Sequence, residues 1–263
     1  MSVTPATFDE FAAQFAEGNP LLVSRVLVAD TQTPVSTYLK LCLGLPQSFL
    51  LESVEGGEIR GRFSVIGLAP DLIWRSQGPV AEVNRNPGKS DNFEVETLPP
   101  LESLRAIMRE SAMPDTGDLP PMSAGLFGYF GYDMIRHIES IPDNNPMAID
   151  AFDSVLMRPS IIAIFDRLKD SVTMVTQIRP GEWDSAADAW NTSIGRLENA
   201  VAALNAPMPA TETGNETTPL PAPTSNMTKS AFIDMVAKAK EYIKAGDIFQ
   251  VVLSQRFTIP FKL

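Results

Sequence analysis

The chain has 263 residues, 44% of them hydrophobic, with 21 basic against 32 acidic side chains and a formal net charge of −11. That is enough apolar sequence to bury a sizeable core, whereas such an acidic surface repels nucleic-acid backbones and anionic lipid, so neither is an expected partner. No apolar run is long enough to cross a membrane, and an N-terminus broken by Asp9, Glu10, Glu17 and Pro20 does not read as a signal peptide, which points to the cytoplasm.

Thr7 and Glu10 form a T-x-x-E capping box around Phe8, Phe11 and Phe15 at helical spacing, predicting a helix that ends at Gly18-Asn19-Pro20. A β-rich run from Leu21 to Ala29 follows. Pro34 then opens a helix reaching Leu43, since a missing N–H is harmless in a first turn. Cys42, the one cysteine, lies on the stripe Leu39, Cys42, Leu43. It has no partner for an intramolecular disulfide and reads as a core thiol rather than a nucleophile.

From Phe49 to Val95 the pattern is mainly strand. Phe49-Leu50-Leu51 is an apolar run, and Phe63 to Leu68 is β-rich around Gly67. Leu72 to Arg75 and Val80 to Val83 pair across Gln77-Gly78-Pro79, and Asn86-Pro87-Gly88 turns the chain toward a strand from Phe93 to Leu98. Leu101, Leu104, Ile107 and Met108 mark another amphipathic helix. Ala124 to Tyr132 reads as a strand with glycine at 125, 128 and 131, a spacing that is not the dinucleotide fingerprint. Glycines in a strand instead permit close backbone approach. His137 is the only histidine, so no zinc set of several imidazole or thiolate ligands can be built; it reads as a helix-surface residue.

Arg158 to Phe165 and Val172 to Ile178 form a hairpin around Asp166 to Asp170. Ala186, Trp190, Ile194, Leu197, Val201 and Leu204 then trace one face of a long core-facing helix. Residues 206–227 carry five prolines and few bulky apolar side chains, the composition of a linker. A helix from Thr228 to Ala245 follows, with Phe232, Met235, Val236, Ala239 and Ile243 on one face and Gly246 closing it. Ile248 to Phe257 reads as a strand with Gln250, Ser254 and Arg256 on one face. The fold class is therefore α+β, mainly antiparallel sheets with flanking helices. A domain over 1–205 is followed by the linker 206–227 and by one helix and one strand over 228–263, too short for a core of their own. Either both dock on the first domain, or a second domain begins here and is cut.

Two stretches carry a family resemblance. The run Leu50-Leu51-Glu52-Ser53-Val54-Glu55-Gly56-Gly57-Glu58, continuing through Arg60-Gly61-Arg62-Phe63-Ser64-Val65-Ile66-Gly67, resembles the amino-terminal signature of the anthranilate synthase component I family. Ala239 to Phe257, with Ala245-Gly246-Asp247-Ile248-Phe249-Gln250 at its centre, is similar to the opening of that family's chorismate-binding domain, and Gly125 to Asp133 also fits. The resemblance spans nearly the whole chain and implies that 228–263 is the incomplete start of the chorismate-binding domain. Members add ammonia to chorismate and eliminate pyruvate, using magnesium, with a glutamine amidotransferase component II as ammonia source and tryptophan as feedback inhibitor. The magnesium ligands and most chorismate contacts are expected beyond Leu263, so a fragment ending there is expected to be inactive alone.

Carried over residue by residue, the resemblance places Leu51, Glu52 and Ser53 in the tryptophan pocket, with Ser64 as a weaker match. Glu52 and the Ser53 hydroxyl suit an ammonium group. Gln250 matches the position where relatives that make isochorismate hold a water-activating lysine; a neutral amide cannot be that base, which suits ammonia as nucleophile. Two alternatives stay open: the related component of aminodeoxychorismate synthase, and a free-standing amino-acid-binding module.

Overall fold

The computed structural model of the chain describes residues 5–52, 61–113, 116–144, 149–210 and 221–260. They fall into two compact units, Met1–Pro209 and Ala210–Leu263.

The first unit is organised on two long strands far apart in sequence, β3 (Phe63–Gln77) and β7 (Ser154–Asp166). Their antiparallel register runs from Phe63↔Asp166 to Ser76↔Ser154 and shifts once, between Pro70 and Leu72. Sequence pattern separates a strand ending at Leu68 from one starting at Leu72. The chain instead passes through that point as one strand with a bulge, and Ala69 takes a φ of 48° beside it.

On one side of the bulge β2 (Phe49–Leu51) pairs with β3, β8 (Ser171–Ile178) pairs with β7, and β1 (Leu21–Val28) lies outside β8. On the other side β4 (Val80–Asn84) pairs with β3, β5 (Glu94–Val95) with β4, and β6 (Phe127–Phe130) with β7. All these pairings are antiparallel, and the two ends of the eight-stranded sheet share only the central pair. The strand expected from Phe93 to Leu98 shrinks to two residues at the sheet edge, ahead of Pro99 and Pro100, which have no N–H to offer a ladder.

Alternation along the strands sorts the core. Ile66, Leu68, Ala163, Phe165, Met174 and Ile178 face one way and meet Phe11 of α1 (Phe8–Ala16), Leu41 and Cys42 of α2 (Pro34–Cys42), and Leu197 and Leu204 of α4 (Ala186–Asn205). Val65, Ile162, Ile164 and Val175 face the other way with Leu22 and Phe127. Beyond the bulge, Leu72, Trp74 and Val83 pack on Leu104 and Ile107 of α3 (Pro100–Glu110). Burial on both faces explains why β7 reads as the unbroken run Ile161-Ile162-Ala163-Ile164-Phe165.

Local chemistry matches these packing roles. Thr7 Oγ1 accepts the Glu10 N–H at 3.3 Å, but the Glu10 carboxylate takes the N–H of Ala6, at 2.9 Å, so the expected capping box is one-sided. Cys42 is buried, and burial pushes its thiol up to about 11, which keeps it protonated and inert. His137 ends a partly exposed 3-10 helix, Tyr132–His137. At Gly128 an added Cβ would collide with the Val155 carbonyl of the neighbouring strand, which is the close approach expected of that glycine.

In the second unit, α5 (Lys229–Ala245) begins at Thr228, whose Oγ1 accepts the Ala231 N–H, and ends at Gly246 with a φ of 82°. The strand expected over Ile248–Phe257 is corrected. Only β10 (Phe257–Thr258) is paired, with β9 (Thr224–Ser225), a short strand inside the expected linker. Among the described residues no other segment offers this stretch a ladder, and Phe249 and Val252 are 94% and 83% exposed. An apolar, β-prone run is not a strand until another backbone takes its N–H and C=O groups.

Two glycines should respond oppositely to alanine. Gly128→Ala is expected to lower stability in urea denaturation by about 1–3 kcal/mol, through the collision with Val155. Gly195→Ala, inside α4 with open space around it, is expected to raise stability by up to about 1 kcal/mol. Equal responses would contradict the packing.

Candidate functional site

Of the residues expected to form a ligand pocket, Leu51, Glu52 and Ser64 lie around one end of the sheet, where β2, β3 and β7 finish or start. Leu51 is the last residue of β2, pairs with Val65 and is 49% exposed. Cross-strand partners share a face, so Leu51 stands on the face of Val65, while Ser64, one residue along, points to the other with Ile66 and Leu68. Ser64 is fully buried and its Oγ has no hydrogen-bond partner among the described residues. Glu52 follows Leu51 directly and accepts a hydrogen bond from Arg167 Nη2 at 3.3 Å. Ser53 lies outside the described residues. Gln250 belongs to the second unit, where it is exposed and outside any paired strand. The structure thus brings Leu51 and Glu52 together, places Ser64 on the opposite face, and leaves Gln250 in a separate unit.

Charge at this end of the sheet was not evident from local pattern. Arg62 reaches Asp166 with two hydrogen bonds, Nε to Oδ1 at 2.8 Å and Nη2 to Oδ2 at 2.5 Å, the fork geometry that makes such pairs strong. The Arg167 N–H also donates to the Arg62 carbonyl at 3.1 Å. Sequence pattern treats Asp166 and Arg167 only as the start of a turn. The signal that would have found them is the register Phe63↔Asp166, which sets both beside Arg62. The Arg62 hydrogen bond holds the Asp166 carboxyl below its ordinary value, with help from the Leu168 N–H and against the effect of burial.

The Glu52–Arg167 contact is a single bond between partly exposed side chains, 30% and 44% accessible. A contact of this kind contributes little to stability, so an incoming ammonium group can replace Arg167 at the Glu52 carboxylate at small cost. On the face that Leu51 shares, Met113 and Ala124 also line an apolar cavity of about 320 Å³, although neither Leu51 nor Glu52 lines it.

Among the described residues no three His, Cys, Asp or Glu side chains gather as a metal set.

Comparison with known proteins agrees with this architecture. The family profile described as chorismate binding enzyme matches residues 47–263. The chain belongs to that family. It is 43% identical to anthranilate synthase component 1 of Cereibacter sphaeroides over 259 residues, covering 98% of this chain and 52% of that protein. Against anthranilate synthase component 1 of Synechocystis sp. the identity is 36% over 272 residues, covering 97% and 53%. A crystal structure of anthranilate synthase component I from Streptococcus pneumoniae TIGR4 superposes with a TM-score of 0.61 at 24% identity, over 89% of this chain and 48% of that one. At that identity the likeness shows the fold alone. The chain spans about half the length of the curated relatives it matches. No helix among the described residues is long and apolar enough to cross a membrane.

The Arg62–Asp166 pair predicts an acid limb in the stability of this chorismate binding enzyme chain. Because the folded pKa of Asp166 lies below its unfolded value, the pair's contribution is fully present above about pH 4 and is lost as pH falls through the folded value. Asp166→Asn keeps an oxygen for the Leu168 N–H but removes the charge. Urea denaturation is expected to show lower stability at neutral pH and a flatter decline in acid. An unchanged acid limb would assign that limb to other carboxylates.

Proposed function

We propose that the chain is the amino-terminal part of the large component of an anthranilate synthase, a lyase that converts chorismate and ammonia to anthranilate and pyruvate. The observation that carries this reading is the 43% identity extending over 98% of the chain to a protein of that name. Tryptophan biosynthesis is the corresponding pathway, the cytoplasm its setting, and a glutamine amidotransferase its partner and ammonia source. In this reading the bond-making chemistry, and the magnesium that would hold the substrate carboxylate, belong to the half of the relatives' length that this chain does not span. Gln250 contributes a neutral polar position at the entry to the chorismate-binding domain, where ammonia rather than activated water attacks.

The part spanned here then serves regulation. Leu51, Glu52 and Ser53 form one wall of a tryptophan pocket: Glu52 exchanges Arg167 for the ligand's ammonium group, and half-exposed Leu51 offers apolar surface to the indole. Ser64, on the opposite face, contributes through its position beside the strand partner of Leu51. Tryptophan inhibits by binding more tightly to an arrangement in which the chorismate site is less competent, so its effect is bounded by that difference in affinity.

The test uses the protein extended to the length of its relatives. Anthranilate fluorescence is expected from chorismate, magnesium and ammonia, and tryptophan is expected to suppress it. The folate-pathway alternative predicts aminodeoxychorismate instead, and that product would overturn the reading. In the same protein Ser53→Arg should raise the inhibitory tryptophan concentration by about tenfold or more while uninhibited turnover stays within about twofold, a loss of about 1.4 kcal/mol in tryptophan binding. Unchanged inhibition would remove the pocket from this segment.

A further inference from the structure

Where the central strand pair bends, the first unit holds a charged cavity of about 520 Å³ that takes no part in the chemistry above. The bulge after Pro70 removes Asp71 from the ladder, and Arg158, paired with Leu72, reaches it through Nε at 2.5 Å. The same guanidinium donates from Nη2 to Glu182 at 3.0 Å and from Nη1 to Glu110 at 3.5 Å. Glu110, at the end of α3, also accepts from Arg85 Nη1 at 2.6 Å. All three carboxylates are therefore engaged by Arg158 and Arg85.

Two further guanidinium groups share the region, Arg196 in the cavity lining and Arg179 behind it; Asp71 and Glu182 attract both, but neither donates a hydrogen bond to a carboxylate among the described residues. Arg196, on α4, lines the cavity, stands 5.8 Å from the Trp183 ring, and forms no hydrogen bond or close ion pair among the described residues. Arg179 is 93% buried, at 7% exposure, and donates from Nη2 to the Ser111 carbonyl and to Gln177 Oε1, itself a lining residue. Its Nε and Nη1 find no acceptor among the described residues. Burial pushes both groups below their ordinary pKa, and for Arg179 the neighbouring Arg158 charge adds to the effect; Asp71 and Glu182 act against it at both, and Glu110 at Arg179, without cancelling it. A guanidinium stays charged even so, and a desolvated charge whose counter-charges are shared with other arginines is costly.

We propose that this cavity binds a small oxyanion, a carboxylate or phosphoryl group, held by Arg196 with the charge of Arg179 behind Gln177, as a direct counter-charge beyond the three carboxylates already bonded to Arg158 and Arg85. Planar guanidinium groups suit either oxyanion, by paired N–H···O bonds. The size of the cavity fits a metabolite. The chain's net charge of −11 favours a small anion over a nucleic acid or an acidic protein, which the surrounding surface would repel. None of these residues belongs to the Leu51–Ser64 segment or to the second unit, so the site stands whether or not the tryptophan pocket does.

Thermal melting of the purified protein in sodium phosphate and in sodium malonate, against sodium chloride at matched ionic strength, tests the site. A saturable rise in Tm is expected with at least one of the two. A larger response to phosphate assigns a phosphoryl ligand, and a larger response to malonate assigns a carboxylate. Arg196→Gln, which breaks no hydrogen bond in the described fold, should weaken the half-saturating concentration by about tenfold. Glu182→Gln, which removes a competing carboxylate, should strengthen it. Phosphate also stabilises proteins by exclusion from their surface, an effect that does not saturate and persists in Arg196→Gln. Absence of a saturable rise, or a rise equal in both variants and the parent, would overturn the proposal.

Discussion

The pairing of β3 with β7 is the constraint on which the rest of the first unit depends. The two strands meet across the intervening residues 78–153, and each carries further partners on its outer edge. Loss of this ladder would separate β2, β4 and β5 from β1, β6 and β8 and leave three core clusters without a shared floor. Such non-local pairing offers no reward until the long loop is closed. It is therefore secured along its length: Arg62–Asp166 ties one end, and the Gly78 N–H to Asp153 carboxylate bond, 2.7 Å, ties the other.

The same ladder explains which expectations hold and which do not. Helices with an apolar stripe and a cap, such as Phe8–Ala16 and Lys229–Ala245, are local objects, and periodicity with Thr7, Thr228 and Gly246 marks them nearly to the residue. Strands are half of a contact. Leu68 and Leu72 read as belonging to separate strands because the bulge at Asp71 is defined by register against Arg158, which no local window contains. Ile248–Arg256 has the composition of a strand and no ladder among the described residues.

Site chemistry divides in a similar way. Leu51, Glu52 and Ser53 were legible only as a family signature, since a carboxylate and a hydroxyl at a strand end also fit an ordinary solvent-facing edge. Strand alternation then separates Leu51 from Ser64, a distinction available once the pair Leu51↔Val65 is known. The arginines of the charged cluster were invisible to pattern because β7, α4, the residue after β4 and the segment around Arg179 each contribute one. Charge clusters assembled from distant elements leave no spacing to read.

Together these features describe a chain of the chorismate binding enzyme family, matched over residues 47–263. The division of labour proposed here assigns sensing to Leu51, Glu52 and Ser53 and the reaction to residues the relatives carry in the other half of their length. Anthranilate fluorescence from the 263-residue chain alone, supplied with chorismate, magnesium and ammonia, measures that division most directly. The account predicts no product above the enzyme-free rate; turnover above that rate would contradict it.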